Sequence, residues 1–227
     1  MRPSNLHRNK FIQLTQIQFP EIQLQTRDSH KLRGYFGSVF KEYSPLLHNH
    51  FNDGTLRYQY PLVQYKVLNG VPTLVAIEEG AELLVQLFLK IKQLEIEGQY
   101  YEIRSKNIES KKMELGYADY LLEYNFHTLW MALNQKNYGI YMQLNSAEKQ
   151  NMLNKILVGN VLSLFKNMGV HLVEHQRLMA SVKVKEKSTH FKNNHMLAFE
   201  GGFTINAHLP KNLGIGKAVS RGFGTIH

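Results

Sequence analysis

The order in which hydrophobic periodicity changes along the first half of this chain restricts its fold more than any other feature. Residues 10–18 (KFIQLTQIQ) alternate apolar and polar at Ile12, Leu14 and Ile17, the period of a half-buried strand. Between residues 32 and 43 the period lengthens. Tyr35/Phe36, Val39/Phe40 and Tyr43 recur at helical spacing, and Pro45 predicts a stop near Ser44. Residues 61–67 and 73–77 read as strands flanking an Asn69-Gly70 turn. Residues 79–94 predict an amphipathic helix, with Leu83, Leu84, Leu87, Phe88, Ile91 and Leu94 on one face and Glu82, Gln86, Lys90 and Gln93 on the other. A β-rich stretch follows from Tyr100 to about Leu115. The resulting β-α-β-β-α-β order predicts a ferredoxin-like domain.

The pattern restarts near Gly116. Residues 118–125 are strand-like, and Asn145 with Glu148 predicts a capping box at the start of a helix that runs to about Met168, with Gly169 just beyond its end. Residues 178–187 then alternate cleanly, Leu178, Ala180, Val182 and Val184 on one face and Lys183, Lys185 and Lys187 on the other. Residues 196–207 are the expected hairpin partner. We therefore expect an α+β chain of two tandem ferredoxin-like (RRM-like) domains, 1–114 and 115–227, the second ending in a glycine-rich loop.

That loop is GIGKAVSRGFG at 214–224, with Gly214, Gly216, Gly222 and Gly224 spaced around Lys217, Ser220 and Arg221. Glycine lets the backbone approach a ligand closely. The segment reads as exposed N–H groups, a hydroxyl and two cations, which suit a polyphosphate chain. It lacks the spacing of a Walker loop. Charge agrees: residues 176–227 hold eight Lys/Arg against two acids, the footprint of a polyanionic partner. The lysines at 183, 185 and 187 read equally as phosphate contacts or as a solvated face. The 227 residues contain no cysteine, which excludes disulfides and thiolate metal sites. No apolar run reaches the roughly 20 residues that span a bilayer, and no apolar signal region follows Met1, so we expect a cytoplasmic protein without a membrane partner.

His48-Asn49-His50 follows the first predicted helix. Two imidazoles can divide base and acid roles, as RNA cleavage through the 2′-OH requires. With 11 histidines in the chain, an incidental pair or two members of a metal site read from the same residues. Gly34-x-x-Gly37 suggests close helix packing or a weak helix start. Arg57-Tyr58-Gln59-Tyr60-Pro61 interleaves a cation with aromatics, as single-stranded RNA sites and half-buried edges both do.

The tail GIGKAVSRGFG, the tandem ferredoxin-like plan and the basic last quarter together resemble the CRISPR-associated repeat-RNA endoribonucleases of the RAMP superfamily. The stretch LRGYFGSVF…LHNHF…YQYPLVQYK, residues 32 to 66, is similar to the first domain of one branch of that family. The resemblance implies metal-independent cleavage of precursor CRISPR RNA within its repeats, needing no cofactor and leaving 2′,3′-cyclic phosphate and 5′-OH ends. It implies His48 and His50 as the acid/base pair, with Lys41 or Tyr43 stabilising charge or orienting substrate. Lys183, Lys185 and Lys187 and the loop residues Gly214, Gly216, Lys217, Ser220, Arg221, Gly222 and Gly224 would hold the RNA. The partner would be CRISPR repeat RNA, bound by a monomer or homodimer, alone or with other CRISPR-associated proteins. A RAMP subunit that binds guide RNA without cutting it, a basic protein-interaction module and a zinc hydrolase are the competing readings.

Overall fold

The computed structural model describes residues 9–40, 42–47, 59–191 and 194–227. The chain divides into two compact units. The N-terminal unit comprises Ile12–Met113 together with Ala218–Gly222. The C-terminal unit comprises Glu114–Lys217, Phe223–His227 and residues 9–11. No helix among the described residues is long and apolar enough to cross a membrane.

In the N-terminal unit β1 (Lys10–Gln18) leads through the 3-10 turn Thr26–Asp28 into α1 (Ser29–Val39), followed by β2 (Val63–Leu68), β3 (Val71–Ile77) and α2 (Glu79–Phe88). The sheet order β2-β3-β1 continues into β6 (Asn107–Asn125), the strand order of a ferredoxin-like domain. The β2–β3 hairpin turns at Asn69 (φ 51°) and Gly70 (φ 83°), both left-handed as a type I′ turn demands. Ile17 pairs with Leu74, and Tyr65 with Leu74, so one face of the sheet lines the core. Phe36 of α1 fills that core, its ring 5.8 Å from Tyr65, 5.9 Å from Phe40 and 6.4 Å from Phe19.

Two helix ends depart from the sequence expectation. The first helix starts at Ser29 and stops at Val39, with Phe40 at φ −111° and ψ 25° as its cap. The second ends at Phe88 rather than near Leu94. Residues beyond it form a hairpin of β4 (Gln93–Ile96) and β5 (Gln99–Glu102), turning at Glu97 (φ 53°) and Gly98 (φ 79°). Leu94 and Ile96 are buried as alternate residues of β4, so the apolar spacing that mimicked a further helical turn belongs to a strand.

In the C-terminal unit the second half of β6 pairs with β8 (Asn194–His208), which pairs with β7 (Ala180–Phe191). Gly116 therefore lies within β6 rather than at a break between strands. The short α3 (Gln135–Tyr141) and the long α4 (Ser146–Asn167) pack on this sheet. The capping box is formed as expected: Asn145 Oδ1 accepts from Glu148 N–H at 3.1 Å, and Glu148 Oε2 from Asn145 N–H at 3.0 Å. Gly169 takes φ 71° just past the end. Leu153, Leu157, Val161, Leu164 and Phe165 of α4 are buried. Trp130, wholly buried, stacks on Phe126 at 5.3 Å and meets Phe199 at 5.8 Å.

Candidate nucleic-acid interface

The glycine-rich tail does not offer a free row of amides. Within the C-terminal unit its backbone is tied down on both sides. Ile215 N–H donates to Gly224 C=O at 2.8 Å, Gly224 N–H to Leu129 C=O at 2.8 Å, Ile226 N–H to Leu213 C=O at 3.0 Å and Lys217 N–H to Met131 C=O at 3.1 Å. Gly224 takes φ 64°, and a side chain there would run into the Ile215 carbonyl. Ala218–Gly222 belongs to the N-terminal unit. Val219–Arg221 makes a single 3-10 turn, entered at Ala218 (φ 55°) and left at Gly222 (φ 87°). An added Cβ on Gly222 would lie 2.7 Å from Ser29 Oγ and 3.1 Å from the Tyr65 carbonyl oxygen. The expectation of exposed N–H groups is thus corrected at Ile215, Lys217, Arg221, Gly222 and Gly224, whose amides are donated within the chain. Gly214, Gly222 and Gly224 are buried, Gly216 half-buried.

The side chains between the glycines keep the chemistry. Lys217 is exposed, and Ser220 and Arg221 are half-buried. Partial burial, and secondarily the positive charge of Arg33, hold the Arg221 guanidinium below its ordinary pKa. Arg33 sits on α1.

The lysine stripe lies on one face of β7, as alternation predicts. Lys183, Lys185 and Lys187 are exposed, opposite Gly202, Glu200 and Ala198 of β8. Lys187 Nζ pairs with Glu200 at 3.0 Å. The intervening Glu186 faces α3 and α4, where it accepts from Tyr141 Oη at 2.7 Å and meets Lys149 Nζ at 3.3 Å. The Tyr141 hydroxyl, against the opposing effect of burial, and then Lys149 keep its carboxyl below the usual range.

His48, His50 and Lys41 lie outside the described residues, as do Arg57 and Tyr58. Tyr43 is exposed in the turn after α1, with Lys90 Nζ 4.2 Å above its ring and Phe40 edge-on at 5.7 Å. Leu47, the residue before His48, is buried and fixed: its carbonyl accepts from Tyr65 Oη at 2.8 Å. Of the aromatic cluster, Tyr60 Oη accepts from Gln64 Nε2 at 2.8 Å. A side chain at Gly34 would meet nothing within 4 Å, so close packing does not explain that glycine. Sequence reasoning also missed Lys66 on β2, fully buried, whose ammonium burial pulls down to about 7.

Comparison with known proteins places this geometry. Residues 10–114 match the Cas6b N-terminal domain and residues 116–227 the Cas6b C-terminal domain. A crystal structure of Cas6b superposes at a TM-score of 0.90 with 35% identity, covering 96% of this chain and 99% of that one. A crystal structure of the CRISPR RNA processing endoribonuclease Cas6b superposes at 0.77 with 32% identity, covering 96% and 98%. An uncharacterized protein of Methanocaldococcus jannaschii is 35% identical over 141 residues, 62% of this chain and 95% of that protein. With both halves matched in order and almost the whole length superposed, the chain belongs to the Cas6b family.

Proposed function

We propose that this chain is an endoribonuclease that cuts precursor CRISPR RNA within its repeats without a metal ion. The observation that carries the proposal is the 32% identity, over 96% of the chain, to a CRISPR RNA processing endoribonuclease. In this reading one of His48 and His50 takes the proton of a 2′-OH. The 2′-oxygen bonds to the adjacent phosphorus, the bond from phosphorus to the 5′-oxygen breaks, and the other histidine protonates that oxygen. The products are a 2′,3′-cyclic phosphate and a 5′-OH. An imidazole with an ordinary pKa near 6.5 suits both roles close to neutrality. Lys41 and Tyr43 orient the substrate or stabilise its charge.

Lys183, Lys185, Lys187, Lys217, Ser220 and Arg221 hold phosphates of the repeat. Gly214, Gly216, Gly222 and Gly224 act through the backbone path that presents those side chains. Residues 1–114 carry the catalytic group and residues 115–227 most of the RNA-holding cations, in a cytoplasmic monomer or homodimer, alone or beside other CRISPR-associated proteins. Product analysis tests the chemistry. Cyclic phosphate and 5′-OH ends, and a bell-shaped pH–rate profile with its maximum close to pH 6.5, are expected. Ends bearing 5′-phosphate contradict the proposal. Binding without cleavage supports the guide-RNA-binding subunit instead.

A further inference from the structure

Between α3 and the β7–β8 hairpin the C-terminal unit holds a cavity of about 580 Å³. It arises from the way the two elements part. Tyr141, at the end of α3, is buried against the hairpin, its ring 5.7 Å from Phe199 and its hydroxyl 2.7 Å from Glu186. One helical turn back along α3 stands Tyr138, and two residues further along the strands Ser188 pairs with Leu197. There the helix and the hairpin leave a gap, lined by Leu133, Gln135, Tyr138, Ser188, Met196 and Leu197. Leu133 is buried, Met196 and Leu197 are half-buried, and Tyr138 keeps 44% of its surface exposed. The Tyr138 ring and the Gln135 and Ser188 side chains have no polar or ring partner among the described residues. No carboxylate, lysine or arginine of the described residues lines the cavity. A flat, neutral group with hydrogen-bonding edges fits such a lining better than an ion does.

Cations stand just outside. β7 is the outermost strand of its sheet, and alternation sends Lys183, Lys185 and Lys187 to one face and Glu186 and Ser188 to the other. A polynucleotide along that edge can keep its phosphates on the lysine face and turn a base around the edge into the cavity. We infer that the cavity takes one unpaired base of the repeat, stacked on Tyr138 and read at its edge by the Gln135 carboxamide and the Ser188 hydroxyl. The inference rests on the RNA-binding part of the proposed function and adds to it a position of base recognition. Phosphate contacts to the lysines set the register of the RNA but carry no sequence information. Stacking on an aromatic ring holds any base, while amide and hydroxyl groups separate the bases by their donor and acceptor patterns.

The test measures binding of repeat RNA made uncleavable by a 2′-deoxy residue at the cut, with a single abasic residue moved through the sequence. Wild type is compared with Tyr138→Ala, Tyr138→Phe and Gln135→Ala. At one position the missing base should weaken binding to wild type by roughly 5- to 100-fold. Tyr138→Ala should bind the intact repeat with a similar loss, show no further penalty at that position and keep the wild-type salt slope. Tyr138→Phe should bind as wild type does, and Gln135→Ala should flatten the preference among bases there. A 2-aminopurine at that position should lose fluorescence on binding wild type but not on binding Tyr138→Ala. Abasic penalties that match wild type at every position in Tyr138→Ala overturn the base site. Should Tyr138→Ala fail to fold, an unchanged base preference in Gln135→Ala together with unquenched 2-aminopurine in wild type overturns it. A wild type that does not bind repeat RNA removes the RNA reading and the base site with it. Repeat RNA bound and cut by wild type, with the same penalties in every variant, removes the base site alone.

Discussion

Gly224→Ala isolates what the tail glycines do. Gly224 sits at φ 64°, where its Cβ would strike the Ile215 carbonyl oxygen and come within 3.0 Å of Ile215 C and 3.2 Å of Ile215 N. All three obstacles are backbone, so no rotamer change relieves them. The left-handed conformation costs an alanine about 1–2 kcal/mol. Pushing the two backbone segments apart also weakens the 2.8 Å bond from Ile215 N–H to Gly224 C=O, a further loss of about 1 kcal/mol. The expected destabilisation is about 2–3 kcal/mol in urea unfolding. Gly34→Ala is the internal control. It lies in α1 with open space where its Cβ would go, and should stabilise by about 0.5–1 kcal/mol. The refuting result is a Gly224→Ala protein with unchanged stability that has lost RNA binding. That would mean the glycine serves the ligand directly and not the packing of the tail.

Other consequences are equally concrete. Lys66 has a folded-state pKa near 7, below its usual value, so between pH 7 and about 10.5 the unfolded chain holds more protons and stability rises with pH. Lys66→Met should abolish that rise and increase stability at pH 7, read from unfolding midpoints across the range. Asn145→Ala removes the α4 capping box and should cost about 1 kcal/mol, measured in urea. Among the β7 lysines, Lys183→Gln and Lys185→Gln should each reduce the salt slope of RNA binding by about 1. Lys187→Gln should reduce it less, because Glu200 already holds that ammonium; equal effects from all three would contradict this ordering.

What could be read in advance follows from how local each signal is. The Asn69-Gly70 turn, the Asn145/Glu148 cap and the outward lysines of β7 depend on residues a few positions apart, and the structure shows each as expected. The end of α2 was illegible because Ile91 and Leu94 keep the helical spacing. What separates strand from helix there is the turn at Glu97-Gly98, several residues downstream. The packing of the tail backbone could not be read in advance because glycines accommodate a phosphate and a neighbouring backbone equally well. Its buried apolar residues, Ile215, Val219 and Ile226, were the sign that protein occupies that space. The seating of the tail on α1 could not be found from spacing, since it brings Gly222, far along the chain, against Ser29.

The central claim, metal-independent cleavage by the His48/His50 pair, is tested most directly with end-labelled repeat RNA in EDTA. Wild type, the His48→Ala/His50→Ala variant and a substrate with a single 2′-deoxy substitution at the cut are run side by side. The account predicts one cut by wild type, lost in both the variant and the deoxy substrate, with RNA binding retained. Cleavage that survives the double substitution, or that EDTA abolishes, contradicts it.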